Sequence, residues 1–115
     1  MNLISLLGTN MDLTDGIKKY IDERIDMLEK LTTNFEPAAE LRVEVGKTTN
    51  HHAKGPFFRA EMQLAIPGDV FRSEATEEDL YKAIDVARDD IKRQLQDRKE
   101  KFVDQAKRTV RPGKE

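Results

Sequence analysis

Apolar and polar positions along the chain change period several times, and each change marks an element. Leu3 to Gly8 reads as a first strand with Ile4 and Leu6 inward, and Asn10 to Leu13 as a connection. Thr14 is a good N-cap, and Asp15 suits the positive end of a helix dipole. Ile17, Tyr20, Ile21, Ile25, Leu28 and Leu31 then recur at helical spacing, which predicts a first helix ending near Thr32–Asn34, with Pro37 closing the boundary. Glu40 to Val45 alternates strictly, with Leu41, Val43 and Val45 opposite Glu40, Arg42 and Glu44. Phe58 to Ile66 alternates in the same way. Both segments read as half-buried strands, and the polar stretch TTNHHAKGP between them as a loop. Pro67–Gly68 is a turn signal, because Pro fixes φ near −65° and Gly tolerates positive φ at the next position. Val70 to Ala75 returns as a fourth strand.

The last long element is predicted over Thr76 to Lys101. Thr76 with Asp79 fits a capping box. Leu80, Ile84, Ala87, Ile91, Leu95 and Phe102 form its apolar face. Residues after about Gln105 lack apolar periodicity and read as a disordered basic tail, which leaves a single domain over 1–104 and a tail over 105–115. The order is therefore β-α-β-β-β-α. Three consecutive strands with short links form an antiparallel meander, and each helix has one apolar face. The economical arrangement is an α+β two-layer sandwich, a four-stranded sheet with both helices on one face. Its other face would show Arg42, Glu44, Arg59, Glu61 and Gln63 to water.

Composition changes this picture mainly through charge. A chain of 115 residues supports one domain, and the absence of cysteine excludes disulfides and thiolate metal sites. No apolar run approaches the roughly 20 residues of a membrane span. Leu3 to Leu7 has neither a basic leader nor a cleavage pattern, so a cytoplasmic protein is expected. The net charge of −2 hides an asymmetry: residues 1–80 balance to −6 and residues 81–115 to +4. At about 100° per residue, Arg88, Lys92 and Lys99 fall within about 40° of one another on one flank of the last helix. A cationic stripe beside a buried face suits a phosphate backbone. It also suits plain solvation of an exposed helix face, which charge alone does not distinguish. Arg24 lies within the apolar sector of the first helix. It must either snorkel past the edge or meet an acidic partner, and it would face a groove shared with the last helix.

Catalytic signals are weak. His51 and His52 are adjacent and lack two further ligands at metal spacing, so a polar hairpin loop is the default reading and no metal or cofactor is expected. Gly46, Gly55 and Gly68 are dispersed and form no phosphate loop. Ser5 and Ser73 carry no nucleophile motif. No reaction suggests itself, and a non-enzymatic role is expected. Few aromatics are placed for base stacking on a sheet. Shape and phosphate recognition of structured RNA therefore fits best.

Gly8 with TNMDLTDGIKKYIDERIDMLEKL, the strand pair around NHHAKGPFFRAEMQLAIPG, and EDLYKAID followed by KRQL together resemble the short-form ribosome hibernation factors. That group includes ribosome-associated inhibitor A (protein Y) and hibernation promoting factor. The resemblance spans residues 3 to 102. It implies a β-α-β-β-β-α fold related to double-stranded-RNA-binding domains and no enzymatic activity. It further implies binding to the small ribosomal subunit and the 70S ribosome through ribosomal RNA, near the decoding centre, where mRNA and tRNA access is blocked under stress. By position, Lys18, Arg24 and Lys30 match basic positions of the family's first helix, and Arg93, Lys99 and Lys101 those of the second. Arg88 and Lys92 come from the stripe and match the family pattern less clearly. Met27 and Asp90 stand where members carry Lys, and the tail is basic where protein Y ends in an acidic extension. A free double-stranded-RNA-binding module and a protein-interaction regulator using the polar sheet face or the His51–His52 loop are the alternatives. No membrane or small-molecule partner is expected.

Overall fold

The computed structural model describes residues 1–35, 38–48 and 57–110, with 102–110 described through their helical backbone only. The elements run β1 (Asn2–Thr9), α1 (Asp15–Leu31), a short 3₁₀ helix (Thr33–Phe35), β2 (Glu40–Thr48), β3 (Phe57–Ile66), β4 (Asp69–Glu77) and α2 (Leu80–Val110). The predicted order is borne out. One four-stranded sheet has the spatial order β1-β2-β3-β4. β1 pairs parallel to β2, which requires the crossover through α1, while β2–β3 and β3–β4 are antiparallel.

Period-2 alternation places one row of each strand on the inner face. Val43, Met62 and Ser73 lie in one cross-strand line, and Leu41, Leu64 and Phe71 in another. All six are buried, and so are Ile21, Leu28, Ile84 and Ile91 from the helices. These residues form one core, with both helices on the same side of the sheet. Ala83 and Ala87, both fully buried, present small side chains where α2 crosses β3 and β4. Thr14 caps α1 as expected, its Oγ1 accepting from the Ile17 N–H at 3.2 Å. Gly68 sits at φ 85° between paired Ile66 and Asp69, in the left-handed position that the turn required. Gly8 lies under the loop that leaves β1, where a Cβ would come within 2.9 Å of the Met11 carbonyl oxygen.

Three expectations need correction. Ile4 does not point inward. The β1–β2 register shifts between Leu3 and Ser5, so Leu3 aligns with Leu41 and Leu6 with Val43, and the bulged Ile4 is exposed. The capping box at Thr76 does not form, because Thr76 pairs with Arg59 inside β4. Asp79 caps α2 instead: its carboxylate accepts from the Tyr81 N–H at 3.0 Å, and its carbonyl from the Ala83 N–H at 3.0 Å. The strand wins this stretch because its alternation, with Phe71, Ser73 and Ala75 buried, runs on to Glu77. Finally, α2 continues through residues 105–110, which were expected to start the tail. The expected boundary at Pro37, the loop from 49 to 56 with His51 and His52, and residues 111–115 lie outside the described residues.

Candidate nucleic-acid interface

α1 and α2 lie side by side over the sheet. Their contact begins with four side chains placed by i, i+4 spacing: Tyr20 and Arg24 on α1, Tyr81 and Asp85 on α2. The Tyr20 hydroxyl lies 2.9 Å from both Asp85 carboxylate oxygens and donates to them. The two tyrosine rings meet edge to face, 4.4 Å between centroids. The Arg24 guanidinium lies 4.6 Å above the Tyr20 ring, with Nε 3.5 Å from Asp85 Oδ1. That Nε is buried and has no hydrogen-bond partner among the described residues, so the pair is held by charge and stacking. Burial, reinforced by the Asp85 hydrogen bond and charge, raises the Tyr20 pKa above its ordinary value; Arg24 opposes the rise. Of the two readings of Arg24, the acidic partner is the one present.

The remaining basic residues divide among several surfaces. Arg88 shares α2's α1-facing flank, and its side chain is only 13% exposed; Nε and Nη2 both donate to Asp89 Oδ1, at 3.0 and 2.7 Å. Lys92 follows on the same flank, half-buried. Lys99 continues it, and there meets Lys30 from the last turn of α1 on the wall of one cavity of about 290 Å³. Arg93 lies about 140° around the helix from Arg88. It pairs with Asp90 and, at 3.8 Å, with Asp97. Lys101 lines the opposite side of α2, beside Asp69, Asp97 and Glu100. Lys18 is exposed on α1, about 120° from Arg24. The structure thus brings Arg24, Arg88, Lys92, Lys99 and Lys30 to the helix pair's shared side, and leaves Lys18, Arg93 and Lys101 off it.

Sequence reasoning missed the carboxylates. Asp89 beside Arg88, and Asp90 and Asp97 at i−3 and i+4 from Arg93, are readable from helical spacing. Asp85 opposite Arg24 is not, since the two lie on different elements. Arg98 also took an unforeseen place: its guanidinium caps the Phe35 ring at 5.2 Å and its Nε donates to Asp69 Oδ2 at 3.2 Å. The sheet's outer face is nearly self-neutral. Arg59 bridges to Glu74 and Glu61, and its hydrogen bond holds the Glu74 carboxyl below the ordinary range. Thr9 Oγ1 donates to Glu44 at 2.7 Å. Among the described residues, no group of three or more His, Cys, Asp or Glu side chains is placed to hold a metal ion. No described helix is long and apolar enough to cross a membrane.

A mixed sheet backed by two helices, with cations gathered along the helix pair, defines a small α+β domain of the kind solved as the N-terminal domain of Thermus thermophilus Protein Y. That structure matches with a TM-score of 0.60 and 33% identity, over 83% of this chain and 96% of the other. Residues 4–103 match the family described as sigma 54 modulation protein / S30EA ribosomal protein, and the chain belongs to that family. A ribosomal subunit interface protein from Coxiella burnetii shares the fold at a TM-score of 0.60 with 14% identity, over 84% of this chain and 99% of that one. The ribosome hibernation promotion factor of Deinococcus radiodurans is 30% identical over 105 residues, 91% of this chain and 53% of that protein. Its namesake from Picosynechococcus is 34% identical over 95 residues, 82% of this chain and 47% of that protein. The chain spans about half the length of these curated relatives. The family resemblance read from the sequence is borne out.

Proposed function

We propose that this domain is a ribosome-associated hibernation factor. It occupies the mRNA and tRNA path of the small subunit near the decoding centre, in the free subunit or the 70S ribosome, and blocks translation by exclusion. Family membership supports the class. The observation that carries the reading to one surface is the convergence of Lys30 and Lys99 on one cavity, with Lys92 on the same flank. None of the three pairs with a carboxylate among the described residues, whereas Arg24, Arg88 and Arg93 all do. The lysines are therefore the cations free to take phosphate without first giving up an internal partner. The domain itself performs no reaction in this role, and works as a cytoplasmic protein through ribosomal RNA.

Co-sedimentation with ribosomes and separated subunits across a salt series tests this. Stoichiometric migration that weakens steeply with salt is expected, because each neutralised phosphate releases counterion. Reversing Lys92 and Lys99 to Glu should lower affinity by on the order of tenfold or more and reduce the salt slope by roughly one per lost phosphate contact, with folding intact. No migration at any salt would overturn the reading. Equal affinity for an isolated RNA duplex would replace it with a general duplex-RNA module.

A further inference from the structure

The cavity that unites Lys30 and Lys99 has more chemistry than phosphate binding needs. It opens between the last turn of α1, the 3₁₀ helix and α2, with a volume of about 290 Å³. Its walls include the apolar side chains of Leu31, Phe35 and Leu95. Leu31 is 36% exposed, although it belongs to the apolar pattern of α1. The Phe35 ring carries the Arg98 guanidinium over it, fixed from the other side by Asp69. Two amides, Asn34 and Gln96, line the same space. No carboxylate does so among the described residues, on a chain whose net charge is −2.

We propose that this cavity takes a single unpaired RNA nucleotide, an inference that rests on the RNA-binding reading above. A nucleobase needs a flat or apolar surface and edge partners. The Leu31–Phe35–Leu95 surface and the stacked guanidinium give the first, and an amide offers a donor and an acceptor together for the second. The nucleotide's phosphate needs cations, which Lys30 and Lys99 supply. A bare phosphate would leave the apolar wall unused, and an acidic peptide would not call for paired amides beside it. A base drawn from a duplex would first have to be unstacked and unpaired, which costs free energy, so the cavity favours bulged, looped or terminal nucleotides. The domain would then combine phosphate tracking along α2 with one point of base capture.

The test uses the full chain, with amide and side-chain NMR shifts and binding anisotropy. Adenosine and uridine 5′-monophosphate should shift Asn34, Phe35 and Gln96 resonances, and inorganic phosphate should shift only the Lys30 and Lys99 region. A variant carrying Leu31→Ser, Asn34→Ala and Gln96→Ala is uncharged at each altered site and changes exposed positions. It should lose about fivefold or more in affinity for a short single-stranded RNA. Its salt slope and its affinity for a blunt duplex of equal length should stay at wild-type values. If this triple variant melts early, Gln96→Ala alone repeats the comparison. Inorganic phosphate reproducing the nucleotide shifts, equal losses on single strand and duplex, or no loss on either would each overturn base capture. Wild-type co-sedimentation with the small subunit judges the hibernation role separately.

Discussion

Ser73 is a hydroxyl in a row of the inner sheet face that otherwise carries carbon. It is 6% exposed, lies beside Met62, and its Oγ has no hydrogen-bond partner among the described residues. Burying such a group without a partner costs stability. Ser73→Ala should therefore raise unfolding stability by up to about 1 kcal/mol in chemical denaturation, against the usual sign for a core substitution. Tyr20 is the opposite case, a hydroxyl with a strong partner. Tyr20→Phe should cost about 1 kcal/mol near neutral pH by losing the bond to Asp85. Its pKa is raised in the folded state, so the folded protein holds this proton where the unfolded chain has released it. That contribution is complete below the unfolded pKa and is lost as pH rises through the higher folded value. Above pH 10 the wild type should lose stability more steeply than Tyr20→Phe, by pH-dependent denaturation. The sequence showed Tyr20 only as a position in an apolar row. Its hydroxyl's partner lies 65 residues away on another element, beyond any local pattern.

At the scale of elements, periodicity located every strand and both helices, and failed where one residue changes phase. The bulge at Ile4 inverts the parity of β1, and nothing local announces it, because LISLL is apolar on both parities. The α2 start was misread for a related reason. Thr76 and Asp79 fit a capping box by spacing, yet the backbone of Thr76 is committed to β3 through Arg59. Asp79→Ala should then cost about 1 kcal/mol of stability, while Thr76→Ala should stay within about 0.5 kcal/mol, both by thermal or denaturant unfolding. Equal costs at the two positions would restore the capping box.

Across the whole molecule, the surplus of cations after residue 80 was plain in the sequence, but its partition was not. Among the described residues, Arg24, Arg88 and Arg93 meet carboxylates on the same or the neighbouring helix, and Lys30, Lys92 and Lys99 are left on the shared flank. Charge counts cannot separate these two populations, because the separation depends on which side chains the helix pair brings within reach.

Among the described residues, the polar and aromatic ties between the two helices are concentrated at one end. Tyr20, Arg24, Tyr81 and Asp85 meet there, while Lys30 and Lys99 stand toward the other end, where no described ion pair joins the helices. Amides of Leu31 and Thr33 should therefore exchange with solvent faster than those of Ile21 and Ile25, and Asp85→Asn should narrow the difference by loosening the tied end, as read by hydrogen exchange. A helix pair tied at one end should loosen first at the other, while the shared core of Leu28, Ile91 and Leu95 keeps both helices on the sheet.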